Sequence, residues 1–465
     1  MRSGWVRFLQ GERLKRFNFN ALNKTAAGAT LRRDEMLSLA RGNEQVAKGR
    51  IVVGFDDPET PPADLQMPNL RHLRVIVAVA KYASVSKAAG DVGLSQPAVS
   101  QAIAALEDRY GRPLFDRSRY GTYPTPAGDV LLKRVGRALE QIEIAIATLS
   151  RQQADPAASR NITSTQIRCL MAIAKSASFS QAARDLGISI ASLQRAARDL
   201  EATVAVPLYI ASKNGQQTNS AGIELARRFA LSSRELDAAI DDMHFLDGAE
   251  RGRVLVGTLP MSGAYLIGTA IAKLTNLIPD AHVYVTNAPY DVQIANLRRG
   301  EIDLIFGVLR PHLSEDELDT ETMFTDPYCV ICRSGHPLTQ VDRVTVEELS
   351  RYNWVAPKKG SPRRHQFDRL LQTLGLSAKL GIEASSLNTI LAILASSDRL
   401  ALVSRHEADT ALIHKLVQVI ESPVRFDSQE KGVTMRKGWL PTPIQARFLG
   451  ILRAEVQAFA NGGHA

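Results

Sequence analysis

A set of spaced motifs recurs along this chain at one fixed offset, and that repeat limits the possible architecture more than any other feature. Ala88-Ala89 returns as Ala182-Ala183, Leu94 as Ile188, Leu106-Glu107 as Leu200-Glu201, Pro113-Leu114-Phe115 as Pro207-Leu208-Tyr209, and Ala127-Gly128 as Ala221-Gly222, each 94 residues later. A gapless match through so many spaced positions indicates a duplicated folding unit. In the first copy, Leu70, Leu73, Val77 and Ala80 form an apolar stripe at helical spacing. A short helix is expected from Ser86 to Val92, with Gly93 as a turn. Ser95 then stands as an N-cap, with Pro97 in the first turn of a helix from Gln96 to about Tyr110 that buries Val99, Ile103 and Leu106. Two helices joined by a short Gly-containing turn make a helix-turn-helix. Pro113-Leu114-Phe115 and Tyr123-Pro124-Thr125 flank Arg117-Ser118-Arg119-Tyr120-Gly121 as a small β-wing, and a long amphipathic helix follows from near Ala127 to about Ser150. Asp155-Pro156-Ala157-Ala158-Ser159 is expected to link the two copies.

From Arg253 onward the pattern changes to short apolar runs alternating with helical periodicity. Strands are expected at Val254–Gly257, Val283–Val285 and Asp303–Gly307, and helices through Ile271 and Leu274 and from Val292 to Arg299. Similar units follow at Tyr328–Cys332, Trp354–Ala356 and Leu400–Val403. Such alternation predicts parallel sheets with crossover helices. The chain therefore divides into an N-terminal extension (1–66), a winged helix-turn-helix (67–126) with its long helix (127–152), a second winged helix-turn-helix (160–220) with its helix (221–248), and an α/β domain (252–460).

The extension shows no sustained periodicity and ends in Asp56-Asp57-Pro58-Glu59-Thr60-Pro61-Pro62, which reads as an extended linker. It is expected to be a disordered arm, or sequence upstream of a true start at Met67; Glu12, Asp34 and Glu35 argue against an organelle presequence. No apolar run approaches the roughly 20 residues that span a bilayer, and no apolar signal core opens the chain, so a cytoplasmic protein without a membrane partner is expected. Three cysteines (Cys169, Cys329, Cys332) are too few for a disulfide framework. The net charge of +9 points toward a polyanionic partner, an argument that gains weight when basic residues sit on a DNA-reading element.

Leu70-Arg71-His72-Leu73, Ala88-Ala89, Leu94-Ser95-Gln96-Pro97-Ala98-Val99-Ser100, Leu106-Glu107, Pro113-Leu114-Phe115-Asp116-Arg117 and Thr125-Pro126-Ala127-Gly128 occur in order within 69–132. This stretch closely resembles the DNA-binding domain of LysR-type transcriptional regulators. Residues 253–455, including Leu297-Arg298-Arg299-Gly300-Glu301-Ile302-Asp303-Leu304, resemble that family's effector domain. Arg333-Ser334-Gly335-His336-Pro337-Leu338 and Gly438-Trp439-Leu440-Pro441-Thr442-Pro443 look like the branch containing galactose-binding-protein regulators. The resemblance implies a two-lobed, periplasmic-binding-protein-like effector domain, regulation by a small molecule, and homo-oligomers joined through the long helices, with RNA polymerase as a further contact. It also makes the second copy a departure, since such regulators ordinarily carry one head.

A helix lying in the major groove meets base edges with its N-terminal side chains, and Gln can bond adenine's donor and acceptor together. Gln96, Ser100 and Gln101 are thus expected at bases, with Pro97 and Ala98 near thymine methyls. Ser86, Lys87, Ser95, Arg117 and Arg119 are expected at phosphates, which fix register without reading sequence. In the second copy Ile190 replaces Gln96 and Ala211 replaces Arg117, leaving Arg195, Arg198 and Lys213 as its basic residues. Its expected role is assembly, with the two copies packing as an intramolecular pseudo-dimer. The stripe Leu131, Val135, Leu139 and Ile142 on the first long helix supplies a contact surface.

Ligands of open α/β sheets settle beyond strand carboxyl ends, near helix N-termini. Thr258, Pro260 and Ser262 lie after the first strand, Ser361 and Arg363 open a helix of the second lobe, and Ser385 and Ser386 open another. These are the candidate effector residues, for a sugar or organic acid. Cys329 and Cys332 have Cys-x-x-Cys spacing, but on a strand positions three apart face opposite ways, so neither metal nor redox chemistry is expected. No nucleotide-binding, hydrolase or zinc-protease motif is present, so no enzyme activity or cofactor is expected. The competing reading is a cytoplasmic solute-binding protein or enzyme that uses helix-turn-helix segments only to oligomerise.

Overall fold

The computed structural model describes residues 5–8, 15–18, 67–150, 156–176, 178–212, 215–310, 317–375, 381–409 and 416–460. The N-terminal extension, expected to lack regular structure, contributes an antiparallel pair, β1 (Trp5–Phe8) and β2 (Lys15–Asn18), with Trp5 opposite Asn18. The expected linker at 56–62 lies outside the described residues.

The first head is α1 (Leu70–Tyr82), α2 (Val85–Val92), α3 (Gln96–Tyr110) and a wing of β3 (Phe115–Ser118) and β4 (Gly121–Pro124), leading into linker helix α4 (Pro126–Ser150). The second repeats the plan as α5 (Ser164–Lys175), α6 (Phe179–Asp185), α7 (Ile190–Val204), β5 (Tyr209–Ser212), β6 (Gly215–Thr218) and linker helix α8 (Ser220–Leu246).

The recurring residues recur because they make the same bonds. A Glu107 carboxylate oxygen accepts from the amides of Leu114 (2.8 Å) and Phe115 (3.4 Å). Glu201 does so for Leu208 (2.7 Å) and Tyr209 (3.3 Å). The Thr125 hydroxyl links the Pro113 carbonyl to the Gly128 amide, as the Asn219 amide side chain links Pro207 to Gly222. The glycines are required by space: a Cβ on Gly128 would lie 2.1 Å from the Leu114 carbonyl oxygen, and one on Gly222 2.5 Å from that of Leu208.

Linker helices α4 and α8 pack along each other. Leu131, Val135, Leu139 and Ile142 share one core with Leu225, Phe229, Leu236 and Met243, and that core continues into both heads through Leu70 and Leu170. The two copies are therefore fused as an internal pair, and the apolar stripe expected to join two chains is covered within one. The expected linker segment lies between the two copies, and Pro156–Arg160 there is a short 3₁₀ helix. Burying Ala158 draws it inward, and the Ser159 carbonyl accepts from Arg74 Nη2 at 2.6 Å.

The effector domain has two lobes. The first is a five-stranded sheet ordered β10-β15-β9-β7-β8, from β7 (Gly252–Thr258), β8 (Ala281–Asn287), β9 (Leu304–Val308), β10 (Leu318–Asp326) and β15 (Gln429–Arg436). It is covered by α9 (Ala264–Leu277), α10 (Tyr290–Arg298) and, beyond the second lobe, α15 (Pro443–Ala460). The second lobe is a sheet ordered β12-β13-β11-β14, from β11 (Tyr328–Arg333), β12 (Trp354–Val355), β13 (Leu400–Ser404) and β14 (Val417–Ile420). Around it lie α11 (Val346–Ser350), α12 (Pro362–Thr373), α13 (Leu387–Ala395) and α14 (Arg405–Asp409). Parallel sheets with crossover helices are expected from the sequence, and both sheets are mixed. β7 runs parallel to β8 and β9, while β15 is antiparallel to β9 and β10; in the second lobe only β12–β13 is parallel. The cause is connectivity: β10 carries the chain out of the first lobe and β15 brings it back, so this crossing pair cannot follow the crossover-helix rule.

Candidate DNA-reading face and effector cleft

In the first head, Ser84 and Ser95 cap α2 and α3, accepting from the amides of Lys87 (3.3 Å) and Ala98 (3.4 Å). These caps fix the two helices so that Ser86, Lys87, Gln96, Pro97 and Gln101 are exposed, with Ala98 and Ser100 half-buried. Gln96 Nε2 donates to Ser86 Oγ at 3.1 Å, which places residues from both helices on one polar surface. Ser95 is exposed, and its cap uses the hydroxyl only as an acceptor, so the O–H is left to donate. Arg117 and Arg119 are exposed on the wing. The sequence reading missed the wing aromatics: Tyr120 is 73% and Tyr123 49% exposed, and the Arg119 guanidinium lies 4.7 Å from the Tyr120 ring centroid. Exposed tyrosine next to arginine suits a backbone-tracking wing, and the signal was their position at a hairpin tip.

The second head has exposed apolar residues at matching positions. Ile190 is 44% exposed where the first head has Gln96, and Ile210 is 54% exposed on the wing beside Ala211. Arg195 and Arg198 are exposed on α7, and Lys213 lies outside the described residues.

Between the lobes lies a cavity of about 390 Å³. Five predicted effector residues line it: Pro260 and Ser262 from the first lobe, and Ser361, Arg363 and Ser385 from the second. Two do not. The buried Thr258 hydroxyl is held between the Thr286 carbonyl (3.3 Å) and Asn287 Nδ2 (3.0 Å). Ser386 is the N-cap of α13, accepting from the Thr389 amide at 3.5 Å. Groups contributed from distant segments were missed, among them Tyr290, Arg310, Tyr328, Lys358, Lys359 and Lys431. They converge only on folding and carry no shared motif.

Arg363 is the most informative of the lining residues. It reaches across the cleft to Met261 Sδ (2.6 Å) and toward the carbonyls of Leu402 (3.4 Å) and Ala384 (3.5 Å). Among the described residues no carboxylate lies within 4.0 Å of it. Burial pushes its pKa down to about 10, partly offset by Tyr328 and Glu407, and it stays charged at neutral pH. By contrast, Lys431 and Asp326, each 2% exposed, neutralise each other at 2.6 Å, with Ser404 Oγ accepting from Lys431 Nζ. Arg310 stacks 4.2 Å from the Tyr290 centroid. Burial holds the Tyr328 phenol well above its ordinary value, so it is a neutral donor. The cleft thus offers a guanidinium with no carboxylate within 4.0 Å among the described residues, two exposed lysines and several hydroxyls.

Cys329 packs with Ile390 and Leu394 while Cys332 packs with Leu338 and Phe367, on opposite faces of β11. Burial pushes their thiols up to about 12 and about 11. Among the described residues no group of three or more His, Cys, Asp or Glu is placed to hold a metal, and no helix is long and apolar enough to cross a membrane.

The model of the bacterial regulatory helix-turn-helix protein, lysR family, matches this chain twice, over 70–129 and 164–223, and the LysR substrate binding domain matches 247–457. The chain belongs to the LysR family of transcriptional regulators. It is 28% identical over 391 residues to the HTH-type transcriptional regulator GalR of Pseudomonas putida, covering 84% of this chain and 98% of that one. An alignment of that length takes in both heads and the effector domain. It is 25% identical over 276 residues to GbpR of Azospirillum brasilense, covering 59% of this chain and 81% of the relative. Among solved structures, full-length OxyR from Pseudomonas aeruginosa is similar with a TM-score of 0.46 and 19% identity, over 63% of this chain and 94% of that one. As a member of this family the chain is a DNA-binding transcriptional regulator with an effector-binding domain.

Proposed function

We propose that this regulator reads its operator through the first head alone and that its effector is a small organic anion. The observation that carries the effector assignment is Arg363, a desolvated guanidinium facing the interlobe cavity with no carboxylate within 4.0 Å among the described residues. A carboxylate or phosphate there would make charge-assisted bonds, which are about twice as strong as neutral ones. The Ser262 and Ser385 hydroxyls would take hydroxyl or carbonyl groups of the same ligand, while Ser361, which donates to the Lys358 carbonyl and caps the helix at Arg364, would shape the wall. Closure of the lobes around it alters the angle at which the fused heads are presented, and the ligand's differential affinity for the two arrangements supplies the coupling.

Gln96, Ser100 and Gln101 would read bases, and Ser86, Lys87, Arg117 and Arg119 would hold phosphates. The second head, with Ile190 and Ala211 at the matching positions, would lend shape and, through Arg195 and Arg198, phosphate affinity. The protein would act in the bacterial cytoplasm, with RNA polymerase as the contact that converts binding into regulation and no catalytic step of its own. Since the linker helices are paired internally, chain–chain association falls to the effector domain. There edge strand β8 and its neighbours leave Leu277, Tyr284, Val285 and Val292 exposed. Tyr284→Asp should then lower the mass seen by light scattering, and an unchanged mass would exclude this surface.

The experiment is fluorescence anisotropy of the full chain on DNA from its own upstream region, titrated with small organic acids and with neutral sugars. An organic acid should shift DNA affinity in wild type and leave Arg363→Gln unresponsive. A response to neutral sugars alone, or one that persists in Arg363→Gln, would contradict the assignment.

A further inference from the structure

We propose a second ligand site, for a small organic anion bearing two or more carboxylate or phosphate groups, in the cavity where linker helices α4 and α8 meet the first lobe. The cavity encloses about 520 Å³, within the span of roughly 300–1,000 Å³ usual for small-molecule sites. Its walls hold eight Lys or Arg side chains against four Asp or Glu. The carboxylates are shared: Glu317 lies within 4.0 Å of Arg227, Arg228 and Arg298, and Glu235 serves both Arg134 and Arg137. Glu224, Asp237 and Asp242, behind the walls, relieve part of the excess through Arg227, Arg228, Arg234 and Arg134.

Two cations are not reached by this sharing. Among the described residues, neither Arg436 nor Lys437 has a carboxylate within 4.0 Å. Arg436 Nη1 donates to the carbonyls of Leu297 (2.9 Å) and Ile302 (2.7 Å), which orient the guanidinium without neutralising it. Its remaining N–H groups stay available for a ligand. Burial pushes Arg436 down to about 10, offset only in part by the more distant carboxylates of Asp303 and Glu235. If the network served only as mortar between helices and lobe, its charges would balance pair by pair. Instead its unneutralised cations line a void. A di- or tri-anion there would bond the linker helices and the effector lobe at once, and so hold the joint through which cleft closure must reach the heads. This site is separate from the interlobe cleft and stands whether or not the cleft assignment is right.

The test is calorimetry on the full chain at fixed ionic strength, with citrate, pyrophosphate and acetate as probes. Citrate or pyrophosphate should bind saturably, at least about ten-fold more tightly than acetate, as expected when several charge-assisted bonds replace one. The tighter of the two identifies carboxylate or phosphate as the preferred group. Saturable binding should persist in Arg363→Gln, which removes the anion contact of the cleft, and Lys437→Glu, an exposed position whose change leaves the core intact, should weaken that persisting binding by at least about ten-fold. Absence of saturable binding would overturn the proposal. So would binding that survives Lys437→Glu and disappears in Arg363→Gln, because that result assigns the anion to the cleft.

Discussion

Replacing Arg364 by methionine should destabilise the effector domain, while the same change at Arg363 should not. Arg364 is 9% exposed and donates to the Pro357 carbonyl (3.0 Å), Asp368 (2.7 Å) and Glu383 (3.3 Å). Truncation strands a buried carbonyl, which costs about 1–3 kcal/mol. It also loses two ion pairs whose acids are 47% and 41% exposed; these rehydrate, so each contributes only about 0–1 kcal/mol. The total is roughly 1–5 kcal/mol, a fall in Tm of about 2–20 °C for a domain of this size. Arg363 has the same side chain one residue earlier, yet its partners are a thioether and two carbonyls at 3.4 and 3.5 Å. Methionine fills similar volume and removes a desolvated charge, so its Tm should stay within about 2 °C of wild type or rise. A desolvated guanidinium that adds no stability is left available to bind an anion. Differential scanning fluorimetry of both variants without ligand decides it. Equal losses would make Arg363 a structural residue and remove the basis for an anionic effector.

The fixed glycines at the wing–helix junctions give a second test. Gly128→Ala or Gly222→Ala should lower thermal stability by about 2 kcal/mol or more, as overpacking against backbone does. Gly136→Ala, in the same helix α4 with nothing within 4 Å of its Cβ, should instead raise it by about 0.5–1 kcal/mol. Asp241 gives a pH signature. Burial, partly offset by Arg253 and Arg234, raises its pKa from 3.8 to about 6, so its charged form is penalised in the folded chain. Stability contributed by this group therefore recovers as pH falls from about 6 toward about 4. Asp241→Asn should raise Tm at pH 8 and match wild type below about pH 4.

Local signals made the heads legible. Ser95, Pro97 and the Leu106-Glu107 and Ala127-Gly128 pairs act within a few residues of themselves, through caps, a buried carboxylate and a close helix approach. They therefore fixed helix limits to within a residue or so. The internal pairing of α4 with α8 was readable because the duplication doubled an apolar stripe that needs a partner. Sheet direction was not readable: β10 (Leu318–Asp326) and β15 (Gln429–Arg436) are mostly polar runs that no apolar pattern marks as strands, and only the path of the chain between lobes makes them antiparallel. The cleft was half legible. Ser361 and Arg363 carry a helix-start signature, whereas Tyr290, Arg310, Tyr328 and Lys431 come from four separate segments. Ser386 has the same helix-start signature, but its cap lies outside the cavity. Pro156–Arg160 lies between the copies as expected, but composition alone did not reveal that it would form a 3₁₀ turn with Ala158 buried.

The central claim is an internal pair of heads with one reader, and the most direct measurement compares the two heads on the same DNA. Fluorescence anisotropy against upstream DNA, with nonspecific competitor, would be run on wild type, Gln96→Ala and Arg195→Ala. Loss of a bidentate base contact costs about 1–3 kcal/mol, so Gln96→Ala should lose about 5- to 150-fold in specific affinity. Arg195→Ala should keep specificity, with at most a small, salt-dependent loss from one phosphate contact. Equal loss of specificity in both variants would show that the second head reads DNA as well, and would contradict the account.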